Sequence, residues 1–344
     1  EVSELAGDLT GSLDFNNESS ALLTIGEVGG SEGLTISSPA MTVNEITTAG
    51  ALTLDEELDA AGTTISLTAN GDITQTDDGM ITATVLEVFQ DDAGSVPFDV
   101  DLCLENIVGT LSGGNRSLGG AFRFHNDSTL SIGGNGTPTG IETNNGEIQI
   151  TSTGALTVND IIDSTAGVAI STNGDILLSS DGSIDINTAV NAGFISMMET
   201  GDLFINSGGT VDIDGIVTAD TLRIVSQGDV AQTQAFIVNT LGVRQESTVA
   251  GGITLEETNF FSTLAATNLL DGGEISVTSD QAVTIATVNE IMAAGKTPAF
   301  AATAGVATTN GDITLNIIDA SLTIGLAGED ITAGDGTVFV DADG

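Results

Sequence analysis

Short runs of alternating apolar and polar residues recur along the whole chain, punctuated by glycine, asparagine and aspartate. This recurrence restricts the fold more than any other feature. Thr63-Thr64-Ile65-Ser66-Leu67-Thr68 and Gly182-Ser183-Ile184-Asp185-Ile186 are examples. Their two-residue period is that of a half-buried strand. The tripeptide Gly-Asp/Glu-apolar opens such runs at Gly146, Gly174, Gly201 and Gly228, which are almost evenly spaced, and shorter steps lead on to Gly252 and Gly273. Near-constant spacing of strand openings predicts stacked coils of about 20 to 28 residues, each holding three short strands and their turns.

A longer repeat lies over the first. Met41-Thr42-Val43-Asn44-Glu45-Ile46 returns as Leu156-Thr157-Val158-Asn159-Asp160-Ile161 and again from Ala286 to Ile291. Gly71-Asp72-Ile73-Thr74-Gln75-Thr76 returns as Gly228-Asp229-Val230-Ala231-Gln232-Thr233. The stretch Gly140 to Ile148 returns, after a similar interval, as Gly305 to Ile313. Separate motifs returning in similar order imply duplication of a module of several coils. The Thr-Val-Asn motifs that begin at Thr42, Thr157 and Thr287 recur at shorter and unequal intervals, which implies coils gained or lost between modules.

Composition agrees with a narrow, stacked interior. The chain has 44 Gly, 4 Pro, no Trp, no Tyr and 12 Phe, yet 40% of it is hydrophobic. Small and β-branched side chains suit such an interior better than a bulky globular core. Helix-compatible stretches are scarce and short, with Glu56 to Ala61 and Val288 to Ala294 the best of them. The expected fold is all-β: a parallel β-helix (β-solenoid) of about 12 to 16 coils, running as one elongated body over residues 1–344. Ile, Val and Leu point inward, while Gly and Asn take corners that require positive φ. Residues 87–135 are the least regular and contain Phe89, Phe98, Phe122 and Phe124 with Arg116 and Arg123. They are expected to protrude as loops and to offer a contact surface.

The charge balance excludes several functions. Forty-nine acids stand against five bases, Arg116, Arg123, Arg223, Arg244 and Lys296, for a net charge of −44. Phosphate binding needs a basic footprint, so a nucleic-acid partner is excluded. Anionic membrane surfaces repel such a chain, and no run reaches the roughly 20 apolar residues of a membrane helix. Attraction runs towards cations and basic partners. Cys103 is the only cysteine, so it forms no intramolecular disulfide, and its apolar neighbours suggest a small buried hydrophobe. His125 is the only histidine, which rules out a multi-histidine metal site within one chain. The chain starts at Glu1 without an initiator methionine and reads as a processed form or a piece of something longer.

These phrases resemble the large filamentous-haemagglutinin-like β-strand repeat proteins of Gram-negative bacteria. The resemblance rests on Gly-Asp-Ile-Thr-Gln-Thr at 71–76, Ala-Leu-Thr-Val-Asn at 155–159, Phe261 to Asn268 and Thr-Asn-Gly-Asp-Ile-Thr-Leu at 309–315. It covers most of the chain from about residue 30 onward. It implies a right-handed parallel β-helix that is secreted, displayed on the bacterial cell surface and used in adhesion, matrix or filament formation. It carries no catalytic residues, and the secretion domain of two-partner systems is not evident.

No catalytic, cofactor-binding or metal residue is assigned from the sequence. Glycoside hydrolysis needs two positioned carboxylates, but with 49 acids no pair stands out. The five scattered bases are poor material for an acidic sugar substrate, so the chain reads as non-enzymatic. Strand alternation puts Asp212 with Asp214, and Asp99 with Asp101, on one outward face each. Such oxygen clusters suit Ca²⁺, the one cofactor considered, although neither an EF-hand loop nor a glycine-rich calcium repeat is present. A threonine face for ice binding needs a regular register that these threonines lack. Asn-X-Ser/Thr triplets occur at Asn17, Asn115 and Asn126. Strand pattern also runs through Leu9 to Phe15 and through Thr337 to Val340, with no capping helix beside it. The expected partner is therefore another copy, paired end to end in a fibre, with host-cell, matrix or polysaccharide surfaces as further partners. The alternative is a carbohydrate- or calcium-binding adhesin module.

Overall fold

The computed structural model describes residues 2–37, 42–76, 78–134, 139–165, 174–192, 201–249, 251–289 and 301–342. Among these residues there is no helix, and parallel strands stack in about 12 coils as a β-solenoid. The count falls at the lower end of the expected range. Two compact units are present, Glu1–Ile176 and Leu177–Gly344. Neither helix-compatible stretch is helical where it is described, in keeping with the all-β expectation. Glu56 and Glu57 lead into the strand Leu58–Ala69, which takes up the rest of the stretch because Leu58 and Ala60 fill core positions. Val288 ends the short strand Thr287–Val288, and 290–294 lie outside the described residues.

In the first unit one inward ladder runs through Leu23, Leu52, Ile73, Val100, Phe122 and Ile148, each in register with the next and each fully buried. In the second unit the corresponding feature is a β-branched ladder, Ile184, Val211, Val230, Ile253, Ile275, Ile313 and Val338. Stacking of like side chains about 4.8 Å apart removes each from water on both sides, which stabilises by roughly 1.5 to 3 kcal/mol per residue. Phe122 is the bulky exception in the first ladder. Its ring reaches the inward side of Gly113, where a Cβ would meet ring carbon Cε2 at 3.1 Å.

Coil length is not constant. Along the second-unit ladder the shortest step joins Val211 to Val230 and the longest joins Ile275 to Ile313. The even tripeptide spacing therefore does not mark successive layers of one ladder throughout. The strand opened by Gly201 pairs with Thr221–Ser226, whereas Val230, after Gly228, stacks on Val211 in a different ladder. The longest step contains the antiparallel pair Thr287–Val288 and Thr303–Ala304.

The repeated motifs are repeated corners. Gly146 and Gly311 have no positive φ. They are needed because a Cβ would stand 1.8 Å from the Gly120 carbonyl oxygen and 1.9 Å from that of Gly273. Positive φ belongs instead to the residues before them, Asn145 at 62° and Asn310 at 61°, a conformation asparagine tolerates better than most side chains. In both corners a threonine hydroxyl closes the turn: Thr143 donates to the Gly146 carbonyl (2.7 Å) and Thr308 to that of Gly311 (2.6 Å). The aspartate of the tripeptide also has a local task. Asp72, Asp229 and Asp312 each accept a backbone N–H from the next coil, from Asp99 (2.8 Å), Gly252 (2.7 Å) and Thr337 (2.7 Å).

The Gly-Asp-apolar-X-Gln-Thr repeat supplies a second device. Gln75 donates to Asn106 (2.7 Å) and Gln232 to Asn259 (2.9 Å). Each asparagine is fully buried and sits just after a break in ladder register, between Leu102 and Asn106 in one case and between Leu255 and Asn259 in the other. Each amide donates to the carbonyl four residues back and accepts a backbone N–H from a neighbouring coil, Ile81 (2.9 Å) or Phe236 (2.8 Å). The side chain thereby satisfies backbone groups that the bulge removes from the ladder.

Candidate functional site: the open coil edge

The most distinctive surface is the edge of the last described coil in the second unit. Val338–Ala342 pairs with Ile313–Ile317, Leu322–Ile324 with Val283–Ile285, and Ile331–Thr332 with Val306–Ala307. Among the described residues, none of the three has a strand on its other side. Val338 and Val340 hold ladder positions that are buried in the coils before them, yet they are 42% and 40% exposed. Ile324 is 50% exposed and Leu326, in the following loop, 78%. Strand edges of this kind pair readily with a further strand, whether of the same chain or of another. In the first unit, Glu4–Leu5, Gly7–Thr10 and Asp14–Asn17 are likewise each paired on one side, with Leu23–Ile25, Leu34–Ser37 and Val43–Thr48.

Glu329 holds the loop of this edge in place. Its carboxylate accepts hydrogen bonds from the backbone N–H of Leu326, from the Thr287 N–H (2.9 Å) and from the Thr287 hydroxyl (3.0 Å). These bonds, the Leu326 N–H foremost, hold its pKa below the usual carboxylate value.

The acidic pairs singled out by alternation have different surroundings. Asp99 and Asp101 face Arg123, at 3.7 and 4.0 Å, and the same guanidinium bonds Glu147 at 3.0 Å. These carboxylates thus surround a cation of the chain itself. Asp212 and Asp214 do lie together, with Asp185 on the strand beside Asp212, and Asp214 accepts from the Thr233 hydroxyl (2.6 Å). Asp212 has its pKa raised by partial burial and by the charges of Asp185, Asp214 and Asp229. Among the described residues, no group of three or more His, Cys, Asp or Glu side chains is arranged to hold a metal ion.

Other sequence candidates turn out to be structural. Asn17, Asn115 and Asn126 are buried. Asn126 bonds both the N–H (2.8 Å) and the carbonyl (3.0 Å) of Val108, and Asn115 donates to the carbonyls of Phe98 (2.7 Å) and Ala121 (2.9 Å). Cys103 lies in the bulge before Asn106 and is half-buried, less than its apolar neighbours suggested. His125 meets the Thr151 hydroxyl at 2.7 Å. Within 87–135, Phe122 and Phe124 are core residues, and Val100–Leu118 is one long strand. Among the described residues only 91–99 leaves the ladder for long. Phe89 remains at the surface, half-buried. Sequence alternation alone gives both faces of a strand equal standing, so it could not sort these phenylalanines.

Compared with known proteins, the chain matches no family model, no curated sequence and no solved structure.

Proposed function

We propose that this protein is a non-catalytic structural element of an extracellular fibre at a bacterial cell surface, lengthened by end-to-end addition of copies. The supporting observation is the solenoid itself: parallel strands stack coil on coil with like side chains in register, an arrangement that further coils can continue. A second copy stacking on the coil that holds Val338 and Val340 would continue its ladders. Such a contact joins two different surfaces, and heterologous contacts that do not close into a ring propagate as filaments. The acidic coat keeps fibres apart laterally, while ionic strength near 0.15 M shortens the reach of that repulsion to about 8 Å. Adhesion to host-cell, matrix or polysaccharide surfaces fits the same reading, with the fibre serving as the spacer.

Electron microscopy of the purified protein at low and at physiological salt tests the proposal. Fibres with a layer repeat of about 4.8 Å, favoured by salt and lost in a Val338→Asp/Val340→Asp double variant that keeps its circular dichroism, are expected. Isolated particles under all conditions, or fibres that the double variant forms equally well, would overturn it.

A further inference from the structure

A second surface, on the first unit, has the geometry of a binding slot. One outward row crosses six strands in register: Thr47, Thr68, Phe89, Gly114, Glu142 and Asp163. Gly114 leaves a gap one side chain wide in the middle of that row. Phe89 and Glu142 flank the gap two strand spacings apart, about 9.6 Å between their backbones. The resulting groove has a volume of about 740 Å³, and its rim includes Asp91, Arg116 and Asn144. This is within the range of small-ligand sites, about 300 to 1,000 Å³.

The charges in the slot are unequal. Arg116 is bound to Asp91 at 2.6 Å and points largely into solvent, so this rim pair adds no net charge. Asp163 is occupied by the N–H (2.7 Å) and hydroxyl (2.6 Å) of Thr165. Glu142 is half-buried, and among the described residues no ion pair or hydrogen bond engages its carboxylate. Partial burial and the neighbouring Asp163 make its ionisation unfavourable. A carboxylate lacking a counter-ion thus stands across a glycine gap from a phenyl ring, and a ring face and a carboxylate both attract a cation.

We propose that this slot binds an alkylammonium group, seated between the Phe89 ring and the Glu142 carboxylate over Gly114. The group comes either from a free amine or from a lysine side chain of a basic partner, and the chain's net charge of −44 draws both towards it. A divalent metal is a poorer occupant, because a hard cation seeks six or more oxygen ligands and one wall of the slot is hydrocarbon.

Titration of the full chain, with its 12 phenylalanine rings carrying ¹³C, tests the site by NMR. n-Butylammonium is expected to shift the Phe89 ring signals saturably, while n-butanol of the same shape leaves them in place. Phe89→Leu should weaken binding roughly three-fold and Glu142→Gln about ten-fold or more. Asp8→Asn, an equal charge change at an exposed position away from the slot, should leave the affinity unchanged. Gly-Lys-Gly binding more tightly than butylammonium, and losing this on Nε-acetylation, assigns the ligand to a partner's lysine; equal affinities assign it to a free amine. Equal shifts with butanol, saturable shifts with maltose instead of the amine, or an Asp8→Asn loss matching that of Glu142→Gln would overturn the proposal.

Discussion

Asp212 lies directly beside Asp185 on neighbouring parallel strands, so two like charges share one outward row. With Asp214 and Asp229 near, and with partial burial the largest contributor, Asp212 binds its proton more tightly in the folded chain than an ordinary aspartate does. A carboxyl whose pKa is raised on folding costs stability once it ionises. The cost is absent well below the ordinary pKa of 3.8 and grows as pH rises through the raised value. Asp212→Asn is therefore expected to raise Tm at pH 7 and to leave it unchanged at pH 3. Melts followed by circular dichroism at both pH values measure this, and an equal shift at both would contradict the charge explanation. Glu87 and Glu142 are shifted in the same direction, chiefly by partial burial. Mild acidification from pH 7 towards 5 should thus stabilise the wild-type chain.

Arg123 predicts the opposite sign. Burial works against its charge, but the hydrogen bond to Glu147 and the charges of Glu147, Asp99 and Asp101 outweigh that and hold its pKa above the usual value. Arg123→Gln removes the one cation that faces all three. At pH 7 the variant should lose roughly 1 to 2 kcal/mol, allowing for partial solvent screening. The loss should shrink below about pH 4, where the carboxylates protonate. Urea unfolding at the two pH values is the measurement.

The bulge asparagines make a matched pair of tests. Asn106→Ala and Asn259→Ala each strand a buried backbone N–H, that of Ile81 or Phe236, together with several carbonyls. Each is expected to cost roughly 3 kcal/mol. Gln75→Ala and Gln232→Ala remove the bracing partner together with its part-buried or exposed bonds to Gly79 and Leu104 or to Gln234, and should cost less. Similar losses for asparagine and glutamine would mean that the bulge holds itself.

Gly146→Ala and Gly311→Ala test coil contact against backbone conformation. A methyl group at either site meets a carbonyl oxygen of the preceding coil, so each should cost roughly 2 to 4 kcal/mol. Asn145→Gly and Asn310→Gly, at the positive-φ positions beside them, keep the backbone conformation and lose only side-chain bonds, such as those of Asn310 with Asp271 and the Asp335 N–H, so they should cost less than the alanine variants. Unfolding midpoints for the four variants separate the two causes.

The architecture was legible because a two-residue alternation broken by Gly, Asn and Asp leaves few folds open. Repeats such as Gly71–Thr76 and Gly228–Thr233 were visible, but their purpose was not. That Gln75 reaches Asn106, far along the chain, depends on where the chain bulges, and no local pattern announces a bulge. The constant interval to Gly228 misled for a related reason. The short coil between Val211 and Val230 shifts the next tripeptide into another ladder without changing its spelling. The slot beside Phe89 was hidden because Gly114 and Glu142 reach it from successive coils, and a full turn of the solenoid separates each from the one before.

The ladder bonds of each unit run along its axis, and this sets how it responds to force. Tension along that axis loads the end coil first, and its three short strands must part before the next coil bears strain. Extension should proceed as unzipping, each step releasing about 25 residues of chain, roughly 85 Å when taut. A unit built this way yields gradually under load instead of rupturing at once, and it lengthens many-fold before its last coil gives way.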